Sequence, residues 1–276
     1  MTKACAGRIG ISLNVTADDS HLGDAAEIEA LGYSTIWLPG GQIDSLERLA
    51  ELVRATTTIQ IASGIIPLDV YEPSAVTALF EDLEQQFPGR LLVGLGGPQQ
   101  PRPLSGLSAY LDELDAADPA IAPGRRILAA LGPRKLEIAR DRTGGAITLL
   151  VTPEHTRQTR AILGDRPALI VDQLVVLDSD AARARETARG PLGFLSGVKG
   201  YTDNFARMGF SGAEIETLDD RLVDRLVAWG DEDAIAARVA EQWDAGADQV
   251  VLGVTNADGQ PGPIEVARAL AKRLTQ

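Results

Sequence analysis

The stretch Ile127–Thr148 reads ILAALGPRKLEIARDRTGGAIT, and its order decides the fold. An apolar run ends at Gly132-Pro133, a helical pattern begins at once, and Gly144-Gly145 leads into a second apolar run. Strand, helix and strand in this order form the unit of a parallel α/β fold. Proline is well tolerated in a first helical turn, where its missing N–H costs nothing. Ala129, Ala130 and Gly132 are small and leave backbone N–H groups uncovered where the helix dipole is positive. Such a turn suits a phosphate or another anion, and it equally suits an ordinary strand-to-helix connection.

The same alternation extends outward in both directions. Strands are predicted at Arg8–Leu13, Thr35–Leu38, Ile59–Ser63, Arg90–Leu95, Arg126–Leu131, Ala146–Val151, Ala168–Leu177 and Gln249–Val254. Helices are predicted at Leu22–Leu31, Ser45–Thr56, Pro73–Phe87, Leu107–Ala117, Pro133–Arg142, Pro153–Leu163, Asp231–Ala245 and Pro263–Leu274. Eight strands that each lead into helix point to a closed TIM (β/α)8 barrel rather than an open sheet. Segment Ser179–Trp229 is too long for one crossover and carries several helical patterns. It reads as a helical insertion between strands seven and eight, packed near the barrel mouth. No linker or low-complexity tract interrupts the 276 residues, so one domain over 1–276 is expected. Aromatic residues are only 4% of the chain against 45% apolar, which demands an aliphatic core of the kind parallel strands build under helices.

Composition narrows the function. A net charge of −13 argues against nucleic acid and anionic membranes as partners. With Cys5 the only cysteine and His21 and His155 the only histidines, an internal disulfide is excluded and a zinc site is not expected. No stretch reaches membrane-spanning length, and a cytoplasmic protein is the expectation. No G-x-S-x-G elbow occurs, and the glycines of VGLGGPQQP at positions 93–101 lack dinucleotide-loop spacing. Barrel active sites lie at the C-terminal strand ends, here Asn14, Pro39–Gln42, Gly64–Asp69, Gly96–Gln100, Gly132–Lys135, Thr152–His155 and Thr255–Asp258. Within these, Ser63-Gly64-Ile65 closes strand three, where glycine marks either a bulge or a plain exit loop. Thr152 reads as the cap of the helix from Pro153, and His155 suits either a ligand phosphate or a solvated first turn. His21 reads as a surface residue.

Six stretches together carry a family resemblance: ALGYSTIWLPG, TTTIQIASGI, FPGRLLVGLG, RILAALGPRKLEIARDRTGGA, VTPEHTRQTRAILG and LVDRLVAWGDEDAIAARVAEQWDAGADQVVLGV. In this order they resemble the luciferase-like monooxygenase superfamily, specifically its branch of coenzyme F420-dependent oxidoreductases. The resemblance implies a TIM barrel with an insertion after strand seven. It also implies an enzyme that passes a hydride between the deazaflavin F420, or alternatively FMN, and a small organic substrate. By position, the family bulge that backs the cofactor ring falls on Ser63, Gly64 and Ile65, with Gly64–Ile65 the bond expected to be cis. The family phosphate cradle falls on Ala129, Ala130, Leu131 and Gly132, and Thr152 and His155 match positions that also approach the phosphate. Members of the family are often dimers, so a homodimer is among the expected partners. The departures are specific. Relatives carry an acid, often with histidine, after strand two, and some carry an acid after strand four. This chain has Pro39-Gly40-Gly41 and Gly97-Pro98 there, so no catalytic acid or base is assigned, and a non-catalytic deazaflavin-binding barrel stays an alternative.

Overall fold

The computed structural model describes residues 4–5, 7–97 and 103–275, so the end of the expected Gly96–Gln100 segment lies outside the described residues. Eight parallel strands close into a barrel: β1 Ile9–Ser12, β2 Thr35–Pro39, β3 Gln60–Gly64, β4 Leu91–Gly96, β5 Arg126–Ala129, β6 Gly145–Leu149, β7 Ala168–Leu177 and β8 Gln249–Val254. Closure is made by β8, which pairs with β1 (Ile9 beside Val250) and with β7 (Ile170 beside Gln249). The TIM barrel expected from the strand count is what the chain forms. Around it run α1 Ser20–Ala30, α2 Glu47–Ala55, α3 Pro73–Gln86, α4 Pro103–Ala116, α5 Pro133–Arg142 and α6 Pro153–Leu163. No helix among the described residues is long and apolar enough to cross a membrane.

Each strand is buried on both faces, and the period of two sorts its side chains into two apolar clusters. Trp37, Ala62, Leu92, Ile127, Ile147, Ala168, Ile170 and Val251 pack together inside the barrel. Their neighbours along the strands, such as Ile36, Ile61, Leu128, Leu169 and Val250, pack outward under the helices. Trp37 is the one aromatic in the buried inner set, and its Nε1 donates to Gln249 Oε1 at 3.0 Å.

Two boundaries differ from the sequence expectation in a way that shapes the mouth. β5 ends at Ala129 rather than Leu131, because the ladder to β6 stops at Ala129–Ile147, which leaves Ala130–Gly132 as loop. α4 begins at Pro103, four residues before the expected Leu107.

Between β7 and β8 the insertion forms α7 Ala181–Ser196, α8 Lys199–Arg207, α9 Gly212–Thr217 and α10 Asp220–Leu226. It ends in a short strand, Ala228–Gly230, that pairs with Val175–Leu177 at the tip of β7. The chain then returns through α11 Glu232–Asp244, and α12 Pro263–Leu274 follows β8. The insertion has its own apolar core, in which Ala188, Leu192, Phe205, Leu222 and Val223 pack with Leu150 and Val176 of the barrel. That shared core fixes α8 above the strand ends.

At the opposite end, the loop from α2 to β3 is held by one carboxylate. Glu29 accepts from the backbone N–H of Thr57 and Ile59, each at 2.8 Å, and also from Thr58 N–H and the Thr58 hydroxyl. Burial pushes its pKa up, but these donors prevail and hold it at about 2. The unfolded carboxyl titrates near 4.5, so its contribution is complete above that pH and is lost as pH falls towards 2. Glu29→Ala is therefore expected to lower stability by about 1 kcal/mol or more at pH 7, with the gap to wild type narrowing between pH 4.5 and 2. Urea midpoints measured across that range check this; a gap independent of pH would contradict it.

Candidate functional site

The ladder between β3 and β4 breaks at one place. Ile61 and Ala62 pair with Leu91 and Leu92, and pairing resumes with Ile66 beside Leu95. Between these points Ser63, Gly64 and Ile65 face only Val93 and Gly94, so β3 carries one extra residue. The Ser63 hydroxyl fills the gap: it donates to Gly94 O and accepts from Gly94 N–H, both at 2.8 Å. Gly94 is required here, because a Cβ would lie 1.8 Å from Ser63 O. The bulge expected at Ser63-Gly64-Ile65 is present, and the Gly64–Ile65 peptide is cis.

The bulge forms one wall of a cavity of about 940 Å³ at the C-terminal strand ends. Gly64 and Ile65 line it together with Ala129, Ala130, Leu131 and Gly132 after β5 and with Ile147 and Leu149 of β6. Wall and floor fit tightly at Gly96, where a Cβ would come within 2.7 Å of Ile65 Cγ1 and 3.0 Å of Ala129 Cβ. α8 covers the side above β7 with Val198, Lys199, Gly200, Tyr201, Asp203 and Arg207. The ends of β1, β2 and β8 take no part in the lining, so Asn14, Pro39–Gln42 and Thr255–Asp258 stand outside it.

Six of the nine residues singled out from the sequence thus meet around one cavity: Gly64, Ile65, Ala129, Ala130, Leu131 and Gly132. Ser63 lies fully buried behind the wall as the clasp on Gly94. Thr152 and His155 are also buried and do not line the cavity. Thr152 caps α6 by accepting from His155 N–H at 3.3 Å. The His155 ring reaches α8, with Nε2 at 3.0 Å from Asn204 Oδ1 and Nδ1 at 3.2 Å from the Thr159 hydroxyl. Asn204 Oδ1 also accepts from Arg207 Nη2 at 2.9 Å. Arg207 can only donate, so the Asn204 atom it meets is the amide oxygen, which has no proton; His155 therefore carries its proton on Nε2 and Thr159 donates to Nδ1. Burial, followed by the Arg207 charge, pushes the His155 pKa below its ordinary value, against the hydrogen bonds to Asn204 and Leu131. His155 therefore acts one step behind the mouth, holding the residue that holds Arg207. The solvated first turn is ruled out by this burial. His21 is likewise buried rather than on the surface, with Nδ1 accepting from Thr16 N–H at 3.2 Å.

The rim is basic although the chain is acidic. α5 starts at Gly132 with no side-chain cap, and Pro133 takes its first position. Arg134 and Lys135 follow directly, and neither makes an ion pair among the described residues. Arg207 approaches from the other side, with Nη2 3.8 Å from where a Cβ on Gly132 would stand. Burial lowers the Lys135 pKa, as is usual for an ammonium drawn off solvent with no anion beside it. Uncapped N–H groups and three cations around one glycine turn are the features that suit an anion.

Two further residues escaped the sequence reading. Asp172 lines the cavity from β7, and Tyr201 faces it from α8. Burial raises the Asp172 carboxyl to about 7, and burial with the Asp172 charge raises Tyr201 to about 12. The signal for Asp172 was present in ALIVDQLVVL: it shares the parity of Ala168 and Ile170, both of which point into the barrel. Gly40 sits against the bulge, and a Cβ there would lie 2.5 Å from Ile65 O.

A family model described as luciferase-like monooxygenase matches residues 16–106, a third of the chain. No curated protein matches. Among solved structures, an F420-dependent secondary alcohol dehydrogenase in complex with an F420–acetone adduct has a TM-score of 0.75 at 14% identity, covering 99% of this chain and 98% of that one. The F420-dependent tetrahydromethanopterin reductase of Methanopyrus kandleri gives 0.72 at 14%, covering 98% of each chain. Residues 16–106 are thus similar to the luciferase-like family, and the whole chain shares its fold with these barrels. A type II Baeyer–Villiger monooxygenase, the oxygenating constituent of the 3,6-diketocamphane monooxygenase of Pseudomonas putida in complex with FMN, gives 0.68 at 13%, again covering 98% of each. The same barrel fold is thus shared by proteins whose cofactors differ.

The Ser63 clasp has a measurable weight. Ser63→Ala removes the partner of a buried N–H and a buried C=O at once, and is expected to cost about 1–3 kcal/mol. Thermal denaturation of the variant checks this, and an unchanged midpoint would show that the bulge stands without the hydroxyl.

Proposed function

We infer that this chain is a luciferase-like oxidoreductase that uses the deazaflavin F420 to exchange a hydride with a small organic substrate. The observation that carries the reading is the junction of an apolar cavity of about 940 Å³ with a basic, uncapped helix start at its rim. A flat ring system with an anionic tail matches both halves. The ring would rest between Ile65 on the bulge and the Ala129–Leu131 segment, where glycines keep the walls close. The phosphate would meet Gly132, the first turn of α5 and Arg207. Ser63, Thr152 and His155 would contribute by fixing these groups rather than by touching the cofactor.

F420 is preferred to FMN because its tail carries carboxylates beyond the phosphate. Arg134, Lys135 and Arg207 offer more unneutralised cation than one phosphate requires. The two F420-dependent neighbours agree with this choice through their fold alone. FMN on the same turn is the second reading, since the FMN-bound neighbour shares the barrel. Either cofactor would supply the hydride chemistry when bound, and the protein would supply position, exclusion of water and electrostatics.

Titration of the purified protein with F420 and with FMN, followed by fluorescence, separates the two; equal or tighter binding of FMN would overturn the preference. In the same assay Gly132→Asp, which sets an anion beside the phosphate, is expected to weaken F420 binding by roughly tenfold or more. Arg207→Ala should weaken it in the same direction. A folded Gly132→Asp protein with unchanged affinity would remove the α5 turn from the site.

A further inference from the structure

Among the ionisable residues that line the cavity, Asp172 is alone in standing on a barrel strand. The others belong to the rim. Lys199 and Asp203 pair with each other on α8, and Arg207 is held by Asn204. Arg134 and Lys135 lie on α5, and Asp69 lies in the segment after β3. From β8 the neighbour is Gly253, with no side chain; a Cβ there would stand 2.6 Å from Asp172 Oδ1. From α8 the neighbour is Tyr201, which is neutral over the physiological range. Asp172 Oδ1 is buried and has no hydrogen-bond partner.

This is an unusual position for a carboxyl group. An unpaired buried carboxylate is costly, and the protonated acid is the form that apolar surroundings favour. Leu149 pairs with Asp172 in the ladder and lines the cavity with Ile147 and Val198, so the carboxyl borders apolar side chains while its buried Oδ1 lacks a partner. An acid of this kind hydrogen-bonds a neutral oxygen and repels a carboxylate.

Resting on the reading under Proposed function, we propose that Asp172 is a catalytic acid and base that binds the oxygen of a neutral ketone, aldehyde or alcohol. In the reducing direction a bound reduced deazaflavin would supply the hydride for the new C–H bond. The C=O π pair takes the proton of Asp172 to become the hydroxyl, and the Asp172 carboxylate regains a proton from water. In the oxidising direction the alcohol O–H would give its proton to the Asp172 carboxylate as the C–H hydride passed to a bound oxidised cofactor. Substrates that carry a carboxylate at this end are disfavoured. The role that relatives give to strand two thus moves to strand seven, across the barrel from Gly40.

The test compares wild type with Asp172→Asn, saturated with reduced F420 and mixed with acetone, cyclohexanone or benzaldehyde from pH 5 to 9. Wild type is expected to oxidise the cofactor with these carbonyls, the rate falling above about pH 7. Asp172→Asn is expected to bind F420 within about threefold of wild type, to transfer hydride roughly 10²–10⁴-fold more slowly, and to lose the pH limb. Equal rates in the two proteins overturn the proposal, as does a wild type that binds F420 and reduces none of the carbonyls. A second readout needs no turnover: with carbon-13 in the aspartate carboxyls, the Asp172 signal of the cofactor-free protein should titrate near neutrality and move when cyclohexanone is added. A signal in the ordinary aspartate range, or one that ignores cyclohexanone, also overturns it. Failure to bind either F420 or FMN would instead overturn the cofactor reading, and the carboxyl signal alone would then decide whether Asp172 takes a carbonyl.

Discussion

The hydroxyl of Ser63, bonded twice to the backbone of Gly94, is the constraint on which the mouth of the barrel depends. A parallel ladder with one extra residue leaves an N–H and a C=O of its partner strand unmatched, and in a buried barrel water cannot satisfy them. Ser63 replaces the missing ladder bonds. The neighbouring glycines follow from it: Gly94 lets Ser63 O approach, Gly96 accommodates Ile65, and Gly40 makes way for the carbonyl of Ile65. The cavity wall is therefore set by backbone packing rather than by the side chains it presents to a ligand.

Electrostatics at the mouth run against the molecule as a whole. A chain with a net charge of −13 gathers Arg134, Lys135 and Arg207 around one turn. The long-range field discourages polyanions, while the local field accepts a small anion placed where the helix dipole also points. Arg207 belongs to the insertion, and its orientation passes through Asn204 to His155 on α6. Barrel and insertion therefore build the rim together, and displacement of α8 would open the cavity and disperse its charge in one movement.

Much of this was legible in the sequence, for identifiable reasons. α5, α6 and α12 begin at prolines and end at the predicted residues because proline fixes a first turn unambiguously. β7 and β8 were readable from β-branched and leucine-rich runs. The bulge was legible as a serine and glycine at a strand end, but the role of its serine was not, since Gly94 is distant in sequence and adjacent only through the ladder. Thr152 and His155 were placed correctly on α6, yet their direction depends on where α8 lies, and no local pattern encodes that. Asp172 was overlooked because an acid in an apolar run reads as an interruption until its parity is compared with Ile170. The boundary of β5 was misjudged because Ala130 and Leu131 are as apolar as the strand before them; only the end of β6 pairing terminates it.

The crowding of position 40 has a consequence for how such a barrel changes over time. A new side chain there collides with backbone, which cannot rotate aside, so any return of an acid to strand two must be preceded by a rebuilt strand three. Strands seven and eight have no such barrier: at Gly253 on β8 the obstacles are the ends of the Asp172 and Leu174 side chains of β7, and the wall above belongs to an appended helix. One side of the barrel is locked to substitution while the opposite side is open to it. Library design for altered substrates would therefore gain most from varying α8 and the tip of β7, with positions 40, 94 and 96 left as glycine.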